Sequence, residues 1–282
     1  MERTLDFQDH RRDLGDNRYV YAVVSRRARG LSIGINLNPD KVCNFDCPYC
    51  QVDRTEAAGP PGSGAIDLDV LDAELSRLLG WVRDGSLWEH PPFHTVAPAL
   101  RRVTDIAFAG DGEPTTPAAF PGAVARVRAA RDRFGLDVPV RLLTNATMLH
   151  RERVKAALPL VDEVWAKLDA GTEAWYRRVD GTTFPFARIL SNLAATAAYR
   201  PLVIQSMFCT LGGEGPSDAE IEAWVGRLSV IAAGGTIDHV QIYTVARKPS
   251  DPTVGSLSAE RLEQIAARAR AVGVRAESYG GV

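Results

Sequence analysis

Residues 43–50 read CNFDCPYC, so Cys43, Cys47 and Cys50 crowd into eight positions of a 282-residue chain that carries four cysteines. Three thiols this close, with the fourth far off at Cys209, call for a chemistry that uses three. A structural zinc site takes four protein ligands, usually as two separated pairs. Here the fourth would have to be Cys209 or one of five scattered histidines. A redox dithiol at Cys47 and Cys50 leaves Cys43 without a role. A [4Fe–4S] cluster held by three thiolates keeps one iron open for a small ligand, as a catalytic centre requires. The spacing itself allows all three chemistries.

Outward from the cysteines the chain alternates short apolar runs with longer amphipathic segments. The expected strands are 31–37 (LSIGINL), 105–110, 140–145, 163–169, 202–209 and 239–246. Most are nearly continuous apolar runs, the pattern of parallel strands covered by helices on both sides. Helical periodicity fills 67–84, 118–134, 151–157, 184–199, 217–232 and 258–272. Ser217 stands three residues before Glu220 and Ser258 three before Arg261, so both serines read as helix N-caps. Six such repeats in one run imply an α/β fold with a parallel sheet. The cysteines follow the first strand, in a loop that belongs to the active face when such strands form a barrel. Two stretches break the rhythm, the Pro/Gly-rich 51–65 and the long connection 85–102, and loops of that length often touch substrate. No linker divides the chain, which reads as an N-terminal extension (1–30) followed by a single domain (31–282).

Composition narrows the class further. The chain is 45% hydrophobic and 24% charged, with a formal net charge of −2, so no global field draws it to nucleic acid or to an anionic membrane. The basic patch SRRARG at 25–30, with Arg26, Arg27 and Arg29, reads as a solvated loop. No run approaches the ~18 apolar residues of a membrane span, and the opening MERTLDFQDHRRDLG has no apolar core, so no membrane partner is expected. The expectation is a cytoplasmic protein, in which cysteines stay reduced and serve metal binding or catalysis.

At this point the chain resembles the radical S-adenosylmethionine (SAM) enzymes. The C-x3-C-x2-C motif with Tyr49 before its last cysteine is joined by FAGDGEPT (108–115) closing the second strand and LLTNATML (142–149) closing the third. The likeness covers about residues 31–250. The stretches 25–54 and 240–249 (VQIYTVARKP) are most similar to the branch that contains wyosine-base tRNA-modifying enzymes.

The resemblance implies a partial (βα)6 TIM-like barrel, with Cys43, Cys47 and Cys50 holding a [4Fe–4S] cluster. SAM would chelate the open iron, and one electron would split it into methionine and a 5′-deoxyadenosyl radical that takes hydrogen from a substrate. A tRNA base is one candidate substrate; a peptide or small metabolite is another. A flavodoxin or ferredoxin would supply the electron. Main chain around Asp111 and Gly112 is expected to accept hydrogen bonds from SAM's amino group, with Glu113 as an accompanying carboxylate and Pro114 fixing the turn. Asp111 stands where the family often has glycine. Asn145, Lys167 and Asp169 suit the ribose hydroxyls, the last two sharing one strand face. Arg178, or its neighbour Arg177, suits the SAM carboxylate. Gln205 reads as a contact to SAM or substrate. Cys209 reads as a buried small hydrophobe, and His90 and His94 as a loop pair, because two prolines between them preclude a helix. The reading from another class is a zinc-binding structural protein that uses the same cysteines.

Overall fold

Apolar runs and periodic segments become strands and helices close to where the sequence places them. A computed structural model describes residues 4–6, 14–25, 28–52, 65–247 and 249–280. Arg26 and Arg27 of the basic patch, and nearly all of the 51–65 loop, lie outside the described residues. The chain forms two compact units. One comprises Met1–Val42, Ala57–Leu143 and Arg151–Glu163; the other comprises Cys43–Glu56, Thr144–His150 and Val164–Val282.

The first unit carries β1 (Val20–Ser25), β2 (Gly30–Ile35), α1 (Leu68–Asp84), β3 (Val103–Phe108), α2 (Phe120–Arg133), β4 (Val140–Thr144) and α3 (Glu152–Ala157). Strands β2, β3 and β4 run parallel, in that spatial order, and β1 adds an antiparallel edge to β2. β2 is buried along its whole length, which is why it reads as an unbroken apolar run. Phe108 meets Phe120 of α2 edge-to-face at 5.8 Å, and each buried aromatic contributes about 1.5–3 kcal/mol. Glu74 of α1 is buried, but its carboxylate accepts from the backbone N–H groups of Arg18, Tyr19 and Val20 at 2.7, 2.9 and 3.0 Å, which ties the start of β1 to the helix. The 85–102 connection is not open coil. It makes three short 3-10 turns that bury Leu87 and Phe93, and His90 stacks on Trp81 with ring centroids 3.9 Å apart.

The second unit carries β5 (Glu163–Lys167), α4 (Glu173–Val179), α5 (Phe186–Ala197), β6 (Leu202–Met207), β7 (Cys209–Leu211), α6 (Asp218–Gly234), β8 (Ile237–Tyr243), β9 (Val254–Ser256), α7 (Ala259–Ala271) and β10 (Ala276–Tyr279). Strands β5, β6, β8 and β10 are parallel neighbours in that order. Their register sets Lys167 beside Gln205, Gln205 beside Gln241 and Gln241 beside Glu277, so four polar side chains cross the strands at one level. β7 and β9 form a separate antiparallel pair. Both expected caps form: Ser217 accepts from the Glu220 N–H and Ser258 from the Arg261 N–H. The α/β class expected from the sequence is present. Among the described residues no helix is long and apolar enough to cross a membrane.

Candidate functional site

The cysteine loop belongs to the second unit, and its three cysteines are half-buried and not joined in disulfides. Backbone bonds grip it from segments remote in the chain. The Asp46 N–H donates to the Asp180 carbonyl (3.3 Å), the Ser250 N–H to the Cys50 carbonyl (2.8 Å) and the Asp251 N–H to the Pro48 carbonyl (3.1 Å). Asn145 Nδ2 donates to Asn44 Oδ1 (2.7 Å), and Asn44 Nδ2 in turn donates to Thr147 Oγ1 (2.8 Å). Gly181 has φ 55°, and a Cβ there would fall 1.9 Å from the Asp46 carbonyl oxygen, so only glycine lets these two backbones meet.

Lys167, the last residue of β5, faces this loop. Its Nζ lies 2.6 Å from Asp180 Oδ1, 3.0 Å from Cys47 Sγ and 3.2 Å from Asp169 Oδ2. It also stands 4.6 Å from the centroid of the Tyr49 ring. An ammonium has three donors, and here three acceptors surround it. Asp169 is held in turn, with Oδ1 accepting from the Met207 N–H at 2.9 Å and Oδ2 from the Tyr49 hydroxyl. Burial sets the electrostatics. It pushes the Cys47 thiol up to about 12, against the pull of the Lys167 ammonium. It pushes the Tyr49 phenol well above its ordinary range, and the Asp169 carboxylate adds to that. Burial also raises Asp180, with Lys167 opposing. For Lys167 burial works against the charged form, but the Asp169 and Asp180 carboxylates outweigh it and hold the ammonium above its usual range. A metal that takes Cys47 as thiolate must therefore release its proton.

The turn 110–116 belongs to the first unit. Asn36 clasps Asp111 from both sides of its amide: Nδ2 donates to Asp111 Oδ2 (2.7 Å) and Oδ1 accepts from the Asp111 N–H (3.1 Å). A Cβ on Gly112 would fall 2.2 Å from the Val42 carbonyl oxygen. Glu113 is buried and folds back on its own turn, accepting from the Thr115 N–H at 3.1 Å and from the Thr115 hydroxyl. Pro114 is buried after it. Arg153 of α3 forks onto the carbonyls of Pro117 (2.8 Å), Thr115 (2.9 Å) and Thr116 (2.9 Å). Asn38 Oδ1 is buried and has no hydrogen-bond partner among the described residues.

Cys43, Cys47, Tyr49, Cys50, Asn145, Lys167 and Asp169 thus gather at one loop, while Asp111, Gly112, Glu113 and Pro114 form one turn. Gln205 is buried and donates to Gln241 Oε1 at 3.1 Å. Arg178 pairs with exposed Glu214 at 2.9 Å and lies over Trp175; its neighbour Arg177 pairs with Glu173. Cys209 is fully buried in β7. Sequence reasoning missed Asp180, Arg153 and Asn38. The Asp180-Gly181 pair after α4 was a turn signal that pointed there; nothing local marks Arg153.

A family model described as the radical SAM superfamily matches residues 37–228. Among curated proteins, the chain is 24% identical over 245 residues to a protein named GTPase Obg of Brachyspira hyodysenteriae, covering 86% of this chain and 32% of that protein. It is 25% identical over 161 residues to a UPF0026 protein of Methanocaldococcus jannaschii, covering 57% of this chain and 43% of that protein. The chain therefore spans less than half the length of each of these relatives. No lysine of this chain follows a glycine, so the Gly-Lys pair of a nucleotide-gripping P-loop is absent from it. Among solved structures, a radical SAM methyltransferase from Sphaerobacter thermophilus shares the fold, with TM-score 0.63, 16% identity, and coverage of 93% of this chain and 69% of that one. TYW1 with a lysine-pyruvate adduct shares it too, with TM-score 0.55, 15% identity, and coverage of 85% and 73%. The chain belongs to the radical SAM superfamily, enzymes that use a [4Fe–4S] cluster and SAM.

Proposed function

We propose that Cys43, Cys47 and Cys50 hold a [4Fe–4S] cluster whose remaining iron takes SAM. The observation that carries this reading is the donor set: three half-buried cysteines on one loop, not joined in disulfides. Among the described residues, no three His, Cys, Asp or Glu side chains gather closely enough to hold a single metal ion. A cluster suits that arrangement, because each thiolate takes a different iron and the sulfurs surround a cube rather than a point; mononuclear zinc does not. Bound together, cluster and SAM supply a 5′-deoxyadenosyl radical that removes a hydrogen atom from the substrate.

The chain's own residues position these groups. Carbonyls at Asp111 and Gly112 accept from SAM's amino group, Glu113 accompanies them, and Pro114 fixes the turn. Asn38 Oδ1, an acceptor already desolvated and unpartnered, joins this set, since a buried acceptor gains most from a charged donor. Asn145 and Asp169 serve the ribose, Arg178 the carboxylate, and Gln205 SAM or the substrate. A flavodoxin or ferredoxin in the cytoplasm supplies the electron. A tRNA base is the narrower substrate assignment, resting on the likeness of 25–54 and 240–249. Comparing RNA, peptides and small metabolites from cells with and without the protein identifies the substrate.

The test is anaerobic reconstitution followed by SAM and a strong reductant. Four irons per chain and release of 5′-deoxyadenosine are expected, lost in Cys47→Ala and retained in Cys209→Ala. A colourless, zinc-loaded protein, or equal loss in both variants, overturns the three-ligand assignment.

A further inference from the structure

We infer that Lys167 is a positioning residue for Cys47: it donates a hydrogen bond to the ligand sulfur and so sets the reduction potential of the centre. The inference rests on the cluster reading above. Every donor of the ammonium is committed, to Cys47 Sγ, Asp180 Oδ1 and Asp169 Oδ2 at 3.0, 2.6 and 3.2 Å. None remains for a ribose hydroxyl, the role that the family resemblance implied for this residue.

The surroundings make the charge count. The Nζ stands over the rings of Tyr49 (4.6 Å) and Phe45 (5.3 Å), and Phe45 is buried against Tyr176 edge-to-face at 5.9 Å. Tyr176 stacks on Phe186 at 4.7 Å, and its hydroxyl is buried with no hydrogen-bond partner among the described residues. The Lys167 side chain is 15% exposed and its partners Asp169 and Asp180 are buried, so the positive charge is screened less than at the surface. Hydrogen bonds to ligand sulfur and local net charge are among the factors that set iron–sulfur potentials. A cation donating to Cys47 stabilises the added electron and raises the potential. Asp180, joined to the same ammonium and 4.0 Å from the sulfur, opposes it. The two residues therefore carry opposite signs.

The experiment uses the full chain, reconstituted anaerobically, with iron and sulfide counted first. The cluster is then titrated with dithionite at controlled potential, one electron and no proton per centre, and the reduced form is read by its paramagnetic signal. Lys167→Met is expected to keep its iron and to lose roughly tenfold in the one-electron reduction equilibrium, a fall of about 59 mV. Lys167→Arg is expected to recover most of this, and Asp180→Asn to move the potential upward. An unmoved potential in iron-replete Lys167→Met overturns the inference. If that variant loses its iron, Asp180→Asn decides: an upward move supports the inference and no move overturns it. A wild-type chain that takes up no cluster sinks the cluster reading itself, an outcome the iron count separates from the others.

Discussion

Arg153 and Lys167 each reach a motif loop from an element remote from it in the chain, and their acceptors differ. Arg153 spreads its guanidinium over three neutral carbonyls of the 115–117 turn. Lys167 divides its ammonium between two carboxylates and a thiol. A cation on neutral dipoles fixes a shape. A cation on ionised groups fixes a shape and a field together, because each partner's charge depends on the other's. The first arrangement suits a turn that offers main-chain acceptors. The second suits a loop whose sulfurs must lose protons to metal.

The largest effect expected on this contrast comes from Gly181→Ala. Alanine at a left-handed φ costs about 1–3 kcal/mol, and its Cβ would meet the Asp46 carbonyl oxygen at 1.9 Å. Asp46 precedes Cys47 directly, so the loop has to shift with it. We expect Gly181→Ala to reconstitute with less than half the wild-type iron while the α/β scaffold still folds, as circular dichroism and iron assay report together. Full iron in a stable variant contradicts the grip described for this loop.

Arg153→Met probes the other side and is expected to act more weakly. Hydrogen bonds from a charged donor contribute about 1.5–3 kcal/mol, and water replaces part of what methionine leaves. A loss of about 2 kcal/mol in urea unfolding is expected, with iron content and cluster potential unchanged. If the potential moves as it does in Lys167→Met, the distinction between the two cations collapses.

How far the sequence shows these arrangements follows from the distance over which each one acts. The cysteine trio, the GDGEPT turn and the caps at Ser217 and Ser258 are local, made within a few residues, and each is visible as a pattern. Lys167 and Asp169 were singled out as polar side chains near a strand end that suit ribose hydroxyls, and strand alternation puts them on one face. Their partner Asp180 was not, since it meets Cys47 across 133 residues of chain. Ser250, which closes on Cys50 and Pro48, is hidden for the same reason. Strands β1, β7, β9 and β10 and helix α4 were missed because they are short, or lie in stretches read as extension or loop, where periodicity has too few residues to register. The strongest strands and helices, by contrast, fell within a few residues of their expected bounds.

The smallest expected effect is also the most selective. Asn38→Ala removes a buried oxygen that has no partner among the described residues, and keeps the Cβ that packs near Gly112. An unpartnered buried acceptor costs the folded state, so its removal is expected to leave stability unchanged or slightly higher, provided the 3.4 Å contact from Nδ2 to Thr116 Oγ1 is as weak as its length implies. Toward SAM the sign reverses. If the oxygen accepts from the amino group, its loss weakens binding by about tenfold, equivalent to about 1.4 kcal/mol, with iron content intact. Equilibrium dialysis of SAM against the iron-replete variant measures this, and unfolding in urea measures the other half. Normal SAM affinity removes Asn38 from the proposed acceptor set and leaves the main chain of Asp111 and Gly112 to bind the amino group alone.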